Sequence, residues 1–399
     1  MFVYESGNAN FDLCAIPCDP PAAPPVGTCP DGSLMWVQQD SSLKYPPNPP
    51  APCSDSAPLQ AAARVSATEA VMAGAFGRIL RYDADGVPNN ITDQASTYFT
   101  RLNDGEFTNG LQGCVIGQGR IIMRTTDGGV TWNDVSNWSC NGGAQGNGID
   151  FSSTGGYGVA VGDGGFMAHS DNWGAMWAEV QAPPTSASLQ AVAFVPEGIL
   201  PTGATTFAVG KAGMSDGVVL RSFDQGVTWD PPTSFVGVPL NGVAFATPLV
   251  GYVVGDGQAV FRTRDGGTHW TPIDVANGSG ENFLDIETWG DGSDAILVGQ
   301  GGAVYERTAG GPFIKQTLLD AGGQPVVVSE SLNDVAVLND GAYVRVCGDN
   351  GVVLFRDSGS WARLRSWTNH PLYKVSFQGP NQGYAIGRNF VILDCTPEQ

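Results

Sequence analysis

One eight-residue segment occurs four times in this chain, and it constrains the fold more than any other feature. Residues 125–132, 222–229 and 263–270 share the pattern Ser/Thr-x-Asp-x-Gly-x-x-Trp, and residues 170–177 carry Asn in place of Asp. A segment that returns at a regular interval is the signature of a repeat architecture. We therefore expect one small structural unit that is copied along the chain.

A second repeat lies upstream of each copy, where an apolar residue precedes a glycine. The eight glycines are Gly74, Gly117, Gly162, Gly210, Gly255, Gly299, Gly348 and Gly387. Before most of them the chain alternates as in residues 240–245, which is typical of a β-strand. Each unit then has four strands, named A to D in chain order, with D beginning at the Trp of the repeated segment. The sequence predicts an all-β fold, a single β-propeller of eight four-stranded blades, with seven as the alternative.

The last unit stops after its strand C, and a strand for it is available at the other end of the chain. Residues 29–36 have the spacing of the repeated segment, so we expect them to complete the last blade. The predicted organisation is an N-terminal arm rich in Pro and Cys at 1–28 and a propeller at 29–399. The propeller comprises the closing strand, a Pro-rich linker at 37–58 and the repeats at 59–395. The arm docks either on its own propeller or on a neighbouring molecule.

The repeated segments resemble Asp-boxes, which occur in BNR-type and sortilin-like propellers, sialidases and xyloglucan hydrolases. The period of about 45 residues and the Gly-Tyr-x-Val-Gly run at 251–255 are most similar to propellers of the photosystem II assembly and stability factor type. The resemblance implies the propeller fold. It says little about function, because one fold hosts many activities.

The repeated segment itself is best interpreted as scaffold. Its Asp accepts hydrogen bonds from the backbone of its own turn, its Gly permits a positive φ, and its Trp covers the hairpin. The residues assigned this structural role are Asp127, Trp132, Asn172, Trp177, Asp224, Trp229, Asp265 and Trp270.

Candidate binding residues are those that vary at repeating places, chiefly the turns between strands B and C. They are Trp138, Trp367, Asp163, Asp256, Asp349 and Arg388. The three acids could hold Ca²⁺ or a cationic partner, although Asp-Gly and Asp-Asn are also favourable hairpin turns, which is the simpler interpretation. The two tryptophans suit stacking on a sugar, a protein interface, or packing between blades. No other cofactor or metal is expected.

The amino-acid composition limits the classes of partner that the protein can bind. The formal net charge of -20 argues against nucleic acid and against anionic membrane surfaces. No apolar run is long enough to span a membrane. Eight cysteines suggest an oxidising location, with Cys29–Cys395 closing the ring and Cys114–Cys140 flanking the second unit as candidate disulfides.

No catalytic motif is present, so we do not expect an enzyme. The interpretation is an extracellular binding or scaffold propeller, a structural or adhesive component of a surface assembly such as a virion or appendage. No signal peptide is visible at Met1. The expected partners are proteins, bound through the arm or a propeller face, and glycans in second place. The alternatives are a carbohydrate-binding lectin and a sialidase-like or glycoside-hydrolase-like enzyme.

Overall fold

A computed structural model gives the fold. It describes residues 101–108, 111–138, 144–153, 156–196, 205–357, 359–364 and 371–379, and, outside these, the strands at 34–38, 59–64, 69–74, 79–83, 90–93, 382–387 and 392–397. In this part of the chain the strands form eight sheets, which we number as blades in chain order. The protein is an all-β propeller. Among the described residues no helix is long and apolar enough to cross a membrane.

The strands follow one another as meanders, so that each blade is a short segment of chain. Blade 1 contains β2 (Leu59–Arg64), β3 (Glu69–Gly74), β4 (Ile79–Asp83) and β5 (Asn90–Asp93). Blade 2 contains β6 (Leu102–Phe107), β7 (Gly113–Gly117), β8 (Ile122–Thr125) and β9 (Asn133–Asp134). Blade 3 contains β10 (Gly146–Phe151), β11 (Gly158–Gly162), β12 (Met167–Ser170) and β13 (Ala178–Glu179). Blade 4 contains β14 (Ser188–Phe194), β15 (Thr206–Ala212), β16 (Asp216–Ser222) and β17 (Thr233–Phe235). Blade 5 contains β18 (Leu240–Phe245), β19 (Gly251–Gly255), β20 (Val260–Thr263) and β21 (Thr271–Pro272).

The remaining blades depart from the simple meander. Blade 6 has five strands, β22 (Val275–Ala276), β23 (Phe283–Trp289), β24 (Asp294–Gly299), β25 (Ala303–Arg307) and β26 (Phe313–Lys315). Blade 7 has β27 (Leu332–Leu338), β28 (Tyr343–Gly348), β29 (Val353–Asp357) and β30 (Ser360–Leu364). Blade 8 joins β1 (Leu34–Gln38) to β31 (Leu372–Gly379), β32 (Gln382–Gly387) and β33 (Ile392–Pro397).

The first strand of the chain closes the ring. β1 pairs antiparallel with β33, with Trp36 opposite Cys395. The innermost strand of each blade contacts the innermost strand of the next, and β31 of blade 8 contacts β2 of blade 1. Strand β1 ends at Gln38, two residues beyond the boundary predicted for the closing strand. Strand β22 was not expected; it runs parallel to β26 along the outer edge of blade 6.

The hydrophobic core lies between neighbouring blades. Every residue of β11 and of β19 is buried, which requires apolar neighbours on both faces of a sheet. Leu240, Phe245 and Val253 of blade 5 pack with Phe207 and Val209 of blade 4, and equivalent clusters join the other neighbouring pairs from blade 1 to blade 8. Each blade therefore depends on its neighbours for burial, as expected for a repeat protein.

Each inner strand carries a bulge near its start, where the register against strand B shifts; the bulged residue is the second of the strand except in blade 4, where it is the third, Gln190. A bulge adds one unpaired residue and re-aims the side chain. In blade 2 this residue is Asn103, whose amide donates to the carbonyl of Gly146 in blade 3 at 2.8 Å. In blades 3, 5 and 7 the bulged residue is likewise an asparagine that donates to the next inner strand, whereas in blade 6 it is Leu284.

The repeated segment forms the turn between strands C and D, which we call the repeat turn. In blade 2 Asp127 accepts hydrogen bonds from the Thr131 backbone at 2.9 Å and from the Thr125 hydroxyl at 2.8 Å. Gly129 has φ of 86°, and a Cβ there would lie 2.4 Å from Val71 of the preceding blade. The glycine is therefore required both by its backbone conformation and by the close approach of two blades.

Candidate functional site: the repeat-turn face and the acidic channel

Acidic side chains line the centre of the ring. Alternation turns the first and third residues after each bulged residue toward the central channel. Blades 4 and 5 have alanine or glycine at these positions. The acids at the same positions of the other described blades are Asp104, Glu106, Asp150, Asp285, Glu287 and Asp334. The channel therefore has two acidic walls, one in blades 2 and 3 and one in blades 6 and 7.

The first acidic wall consists of Asp104, Glu106 and Asp150, and its carboxylates bridge blades. Asp104 Oδ2 accepts the backbone N–H of Ile149 in blade 3 at 3.0 Å. Asp150 Oδ2 accepts the N–H of Phe194 in blade 4 at 2.6 Å. Each acid thus satisfies an amide that the strand ladder leaves free on the next inner strand.

Two acids of the first wall lie against each other. Burial in the wall raises the pKa of Glu106 well above its usual range, and the charge of Asp150 and a hydrogen bond between the two side chains add to the effect. Burial also raises the pKa of Asp150 and of Asp104. Two carboxyl groups in contact do not both ionise readily, so Glu106 keeps its proton to a higher pH than an exposed glutamate and donates it to Asp150.

The second acidic wall consists of Asp285, Glu287 and Asp334, and it includes a cation. Asp285 and Asp334 accept the N–H groups of Val335 and Val375, at 3.0 and 2.8 Å. Lys374 Nζ lies 3.2 Å from Asp334 Oδ1. The charge of Asp334 raises the pKa of Lys374, so this lysine stays protonated.

Among the described residues, no cation lies within ion-pair distance of the other two acids of this wall. Burial raises the pKa of Asp285 to about 7, and the neighbouring charge of Asp334 contributes. Burial likewise raises the pKa of Glu287 to about 8, with the charge of Asp285 as the next cause. Among the described residues no group of three or more His, Cys, Asp or Glu side chains could hold a metal ion. The walls therefore act in the described structure as links between blades.

The predicted aspartates lie in the B–C turns, at the end of the channel where inner strands begin. Each accepts a hydrogen bond from the bulged asparagine of its own blade. The pairs are Asn147–Asp163 at 3.0 Å, Asn241–Asp256 at 2.9 Å and Asn333–Asp349 at 3.1 Å. The same asparagines also donate to the next blade, as Asn147 does to the Leu189 carbonyl at 2.8 Å. These contacts agree with the simpler, structural interpretation of the turns, and a binding role stays a prediction.

Trp138 lies half-buried between blades 2 and 3. Its indole Nε1 donates to the Arg120 carbonyl at 3.1 Å, and its ring meets Phe166 edge-on with centroids 5.3 Å apart. Of its three candidate roles, packing between blades has direct support. Trp367 and Arg388 lie outside the described residues.

The expected Cys114–Cys140 disulfide is wrong. Cys114 is a free, fully buried thiol on β7, and its sulfur faces Gly174 of blade 3 inside the core between blades. Burial raises the pKa of this thiol to about 12. Cys347 is also a free buried thiol, as its apolar position on strand B predicts. Cys29 and Cys140 lie outside the described residues, as does the side chain of Cys395.

The repeat turns and the A–B turns lie together on the opposite face, which we call the repeat-turn face. Six large apolar side chains of this face are between 43% and 63% exposed. They belong to blades 2 to 5 and are Leu111, Val130, Met176, Phe223, Val227 and Leu249. We call this set the apolar arc. Large contiguous patches of exposed apolar surface mark interaction sites, and the apolar arc runs over four consecutive blades.

The sequence analysis did not identify the channel acids or the apolar arc as functional residues. It also did not single out two arginines, Arg262 of blade 5 and Arg307 of blade 6. A signal for the channel was available, because acids replace the alanine or glycine found at the same inner-strand positions of blades 4 and 5. A signal for the arc was weaker, since Val130 and Val227 occupy the same place in two copies and look like part of the repeat.

Comparisons with known proteins add a functional context. The chain matches no family model. It is 31% identical over 93 residues to the photosystem II assembly lipoprotein Ycf48 of Synechococcus sp. (strain CC9902), a match that covers 23% of the chain and 28% of that lipoprotein. The chain thus spans little more than a quarter of the length of the curated relative it matches.

Two solved structures share the fold. A chain titled YCF48 bound to D1 peptide superposes with a TM-score of 0.55 at 19% identity, covering 74% of this chain and 92% of that one. The Dos1 propeller superposes with a TM-score of 0.64 at 9% identity, covering 86% of this chain and 93% of that one. At such identities the likeness shows the propeller fold.

These comparisons correct two expectations. The interpretation as a structural or adhesive component of a virion or appendage is wrong, because the matched relative is an assembly lipoprotein of photosystem II. The extracellular or virion-surface location is wrong for the same reason. The predicted similarity to propellers of the photosystem II assembly type agrees with both matches.

Proposed function

We propose that this protein is a non-catalytic propeller that binds a segment of a protein partner, in the manner of an assembly factor of the photosystem II type. The observation that carries the proposal is the apolar arc on the repeat-turn face. Its side chains are presented by turns that internal hydrogen bonds hold in place, such as the one that the Thr228 N–H donates to Asp224 at 2.8 Å. A surface held this rigidly loses little conformational entropy when a partner binds.

The comparisons support a peptide-like partner. The relative is named as an assembly lipoprotein, and the superposed chain is named for its bound D1 peptide. The opposite face fits such a role less well, because its turn aspartates are bonded internally. Two exposed apolar residues there, Met214 and Val236, lie on blade 4 and on the connection after it, outside the apolar arc.

The experiment measures binding of a fluorescently labelled D1 peptide by anisotropy. The test variant is Met176→Ser/Val227→Ser in the apolar arc, and the matched control is Met214→Ser/Val236→Ser on the B–C side. Because each of the two side chains contributes about 1 kcal/mol of apolar burial, the test variant should lose about 2 kcal/mol, which is roughly thirtyfold weaker binding. The control variant should bind like the natural chain. Absence of D1 peptide binding, or equal losses in both variants, would contradict the proposal.

A further inference from the structure

Two buried arginines meet between blades 5 and 6 without a carboxylate. Arg262 is 6% exposed and Arg307 is 2% exposed. Among the described residues neither has an acidic oxygen within 4.0 Å. Both guanidinium carbons lie over the ring of Tyr252, at 5.4 and 5.5 Å from its centroid. An unpaired buried charge is costly, so each guanidinium needs compensation from dipoles or from a ligand.

Arg307 obtains that compensation from the protein. Its Nε and Nη2 donate to the carbonyls of Gly311 and Gly310, at 2.5 and 2.6 Å, and its Nη1 donates to the Tyr252 hydroxyl. These bonds hold the degenerate turn of blade 6, where the usual Asp is missing. The donors of Arg307 are thus largely used within the protein.

Arg262 is satisfied only in part. Its Nη2 donates to the Gly292 carbonyl at 2.9 Å, whereas its Nε is buried and has no partner among the described residues. The residues at the same place in blades 4 and 7 are paired, since Arg221 lies 2.8 Å from Asp230 and Arg356 contacts Glu306. Blade 5 therefore differs from its neighbours in having an arginine here with donor capacity to spare.

A pocket opens beside this arginine. It has a volume of about 350 Å³ and is lined by Arg262, Arg264, Asp265, His269, Thr271 and Ile273. Arg264 is exposed and has no ion pair among the described residues. The pocket is thus lined by one buried and one exposed arginine, in a chain whose net charge is -20.

The single acid of the pocket is already occupied. Asp265 accepts the His269 backbone N–H at 2.9 Å and the Thr263 hydroxyl at 2.9 Å, and its other oxygen lies 2.7 Å from His269 Nδ1. These bonds belong to the repeat turn. They leave the guanidinium groups without a protein carboxylate.

We propose that this pocket binds an oxyanion, with Arg262 and Arg264 as its donors and the exposed edge of His269 beside them. A guanidinium matches the planar fork of a carboxylate or two oxygens of a phosphate, and charge-assisted bonds of this kind are strong. The oxyanion can come from free inorganic phosphate or from the carboxylate of a bound peptide. The inference stands without the proposed function, because it depends on the pocket and not on the apolar arc.

The test follows arginine Nε–H resonances in ¹⁵N spectra while sodium phosphate, sodium acetate or acetamide is added. Sodium chloride holds the ionic strength constant, because exposed charges respond to salt alone. Arg262→Lys assigns the resonance of Arg262. We expect that resonance to shift with phosphate or with acetate, and not with neutral acetamide. Saturation by phosphate indicates a free anion as the natural occupant, and saturation by acetate alone indicates a carboxylate.

The decisive variant is Arg264→Gln, which alters an exposed residue and leaves the fold intact. We expect it to weaken the anion affinity about tenfold, the effect of losing one charge-assisted hydrogen bond. Arg363→Gln on blade 7 is the matched control and should change the affinity less than twofold. The proposal fails if no anion moves the Arg262 resonance, or if the affinity is the same in Arg264→Gln and the natural chain. The D1 peptide assay reports separately on the apolar arc.

Discussion

The two acidic walls of the channel use the same backbone link but balance their charge differently. In both walls a carboxylate at the third inner-strand position accepts an N–H from the next blade, Asp104 from Ile149 and Asp285 from Val335, at 3.0 Å in each case. The second wall contains an ion pair, Lys374 with Asp334. The first wall contains no cation within ion-pair distance among the described residues.

The first wall instead retains a proton. Glu106 and Asp150 share a hydrogen bond, and burial together with the charge of Asp150 raises the pKa of Glu106. Lys374 acts on this wall only through its field across the channel. Crowded carboxyl groups can be stabilised either by a cation or by a bound proton, and these two solutions respond differently to mutation and to pH.

The largest effect should come from removing the cation of the second wall. Lys374→Met leaves Asp334, whose side chain is 8% exposed, without its partner. Breaking a buried ion pair costs about 3–5 kcal/mol; because the lysine side chain is 44% exposed, we expect about 2 kcal/mol. Urea unfolding at pH 8 measures this loss in the free energy of unfolding.

A control variant and a second-site variant that restores stability test whether the loss comes from the ion pair. Lys211→Met in blade 4 removes a lysine that has no ion pair among the described residues, and it should cost less than 0.5 kcal/mol, the usual limit of such surface changes. Adding Asp334→Asn to Lys374→Met removes the orphaned charge and should recover more than half of the loss. Equal stability of Lys374→Met and Lys211→Met would show that the ion pair does not stabilise the wall.

The next effect concerns pH. The pKa values of Asp285 and Glu287 are raised to about 7 and about 8, so the folded protein binds protons more tightly than the unfolded chain. Their contribution to stability is complete near pH 4 and is lost as the pH rises through 7 and 8. Below pH 4, Asp265 and Glu281, whose pKa values are lowered to about 2, withdraw their own contribution. The melting temperature should therefore fall from pH 5 to pH 9.

Glu287→Gln tests the assignment of this pH dependence. The variant cannot ionise, so at pH 9 its melting temperature should exceed that of the natural chain by about 1–2 °C, and the difference should vanish near pH 5. Glu330→Gln is the matched control, because hydrogen bonding to Arg363 lowers the pKa of Glu330 even though burial opposes it. The control should give no gain at pH 9. A gain of equal size in both variants would assign the pH dependence to net charge and not to the channel.

The sequence predicted the fold well, because the propeller depends on a local pattern that recurs. The repeat-turn Asp and Gly residues, the strand A alternation and the closing strand could all be recognised from spacing alone. What could not be predicted is which variable positions meet in space. Asp104 and Lys374 are 270 residues apart in the chain, yet both line the channel, and only ring closure brings them there.

The candidate site was harder to predict from the sequence than the fold for a second reason. Asp163, Asp256 and Asp349 stand out in the sequence because other blades have different residues at this place in the B–C turn, but each of them accepts an internal hydrogen bond from asparagine. Arg262 also occupies a repeating place, and what makes it unusual is the absence of a paired acid beside it among the described residues. A buried arginine without a carboxylate beside it can be recognised only when the side-chain contacts are known.

The smallest effect should come from the proton-retaining residue of the first wall. The raised pKa of Glu106 favours its protonated form, and Gln has the same shape, an acceptor for the Phe151 N–H and a donor for Asp150. Glu106→Gln should therefore change the free energy of unfolding at pH 7 by less than about 0.5 kcal/mol. Asp334→Asn in the second wall loses an ion pair and should cost more, about 1 kcal/mol. If Glu106→Gln were the more damaging of the two, Glu106 would have to be ionised, and the first wall would need a cation that its described residues do not provide.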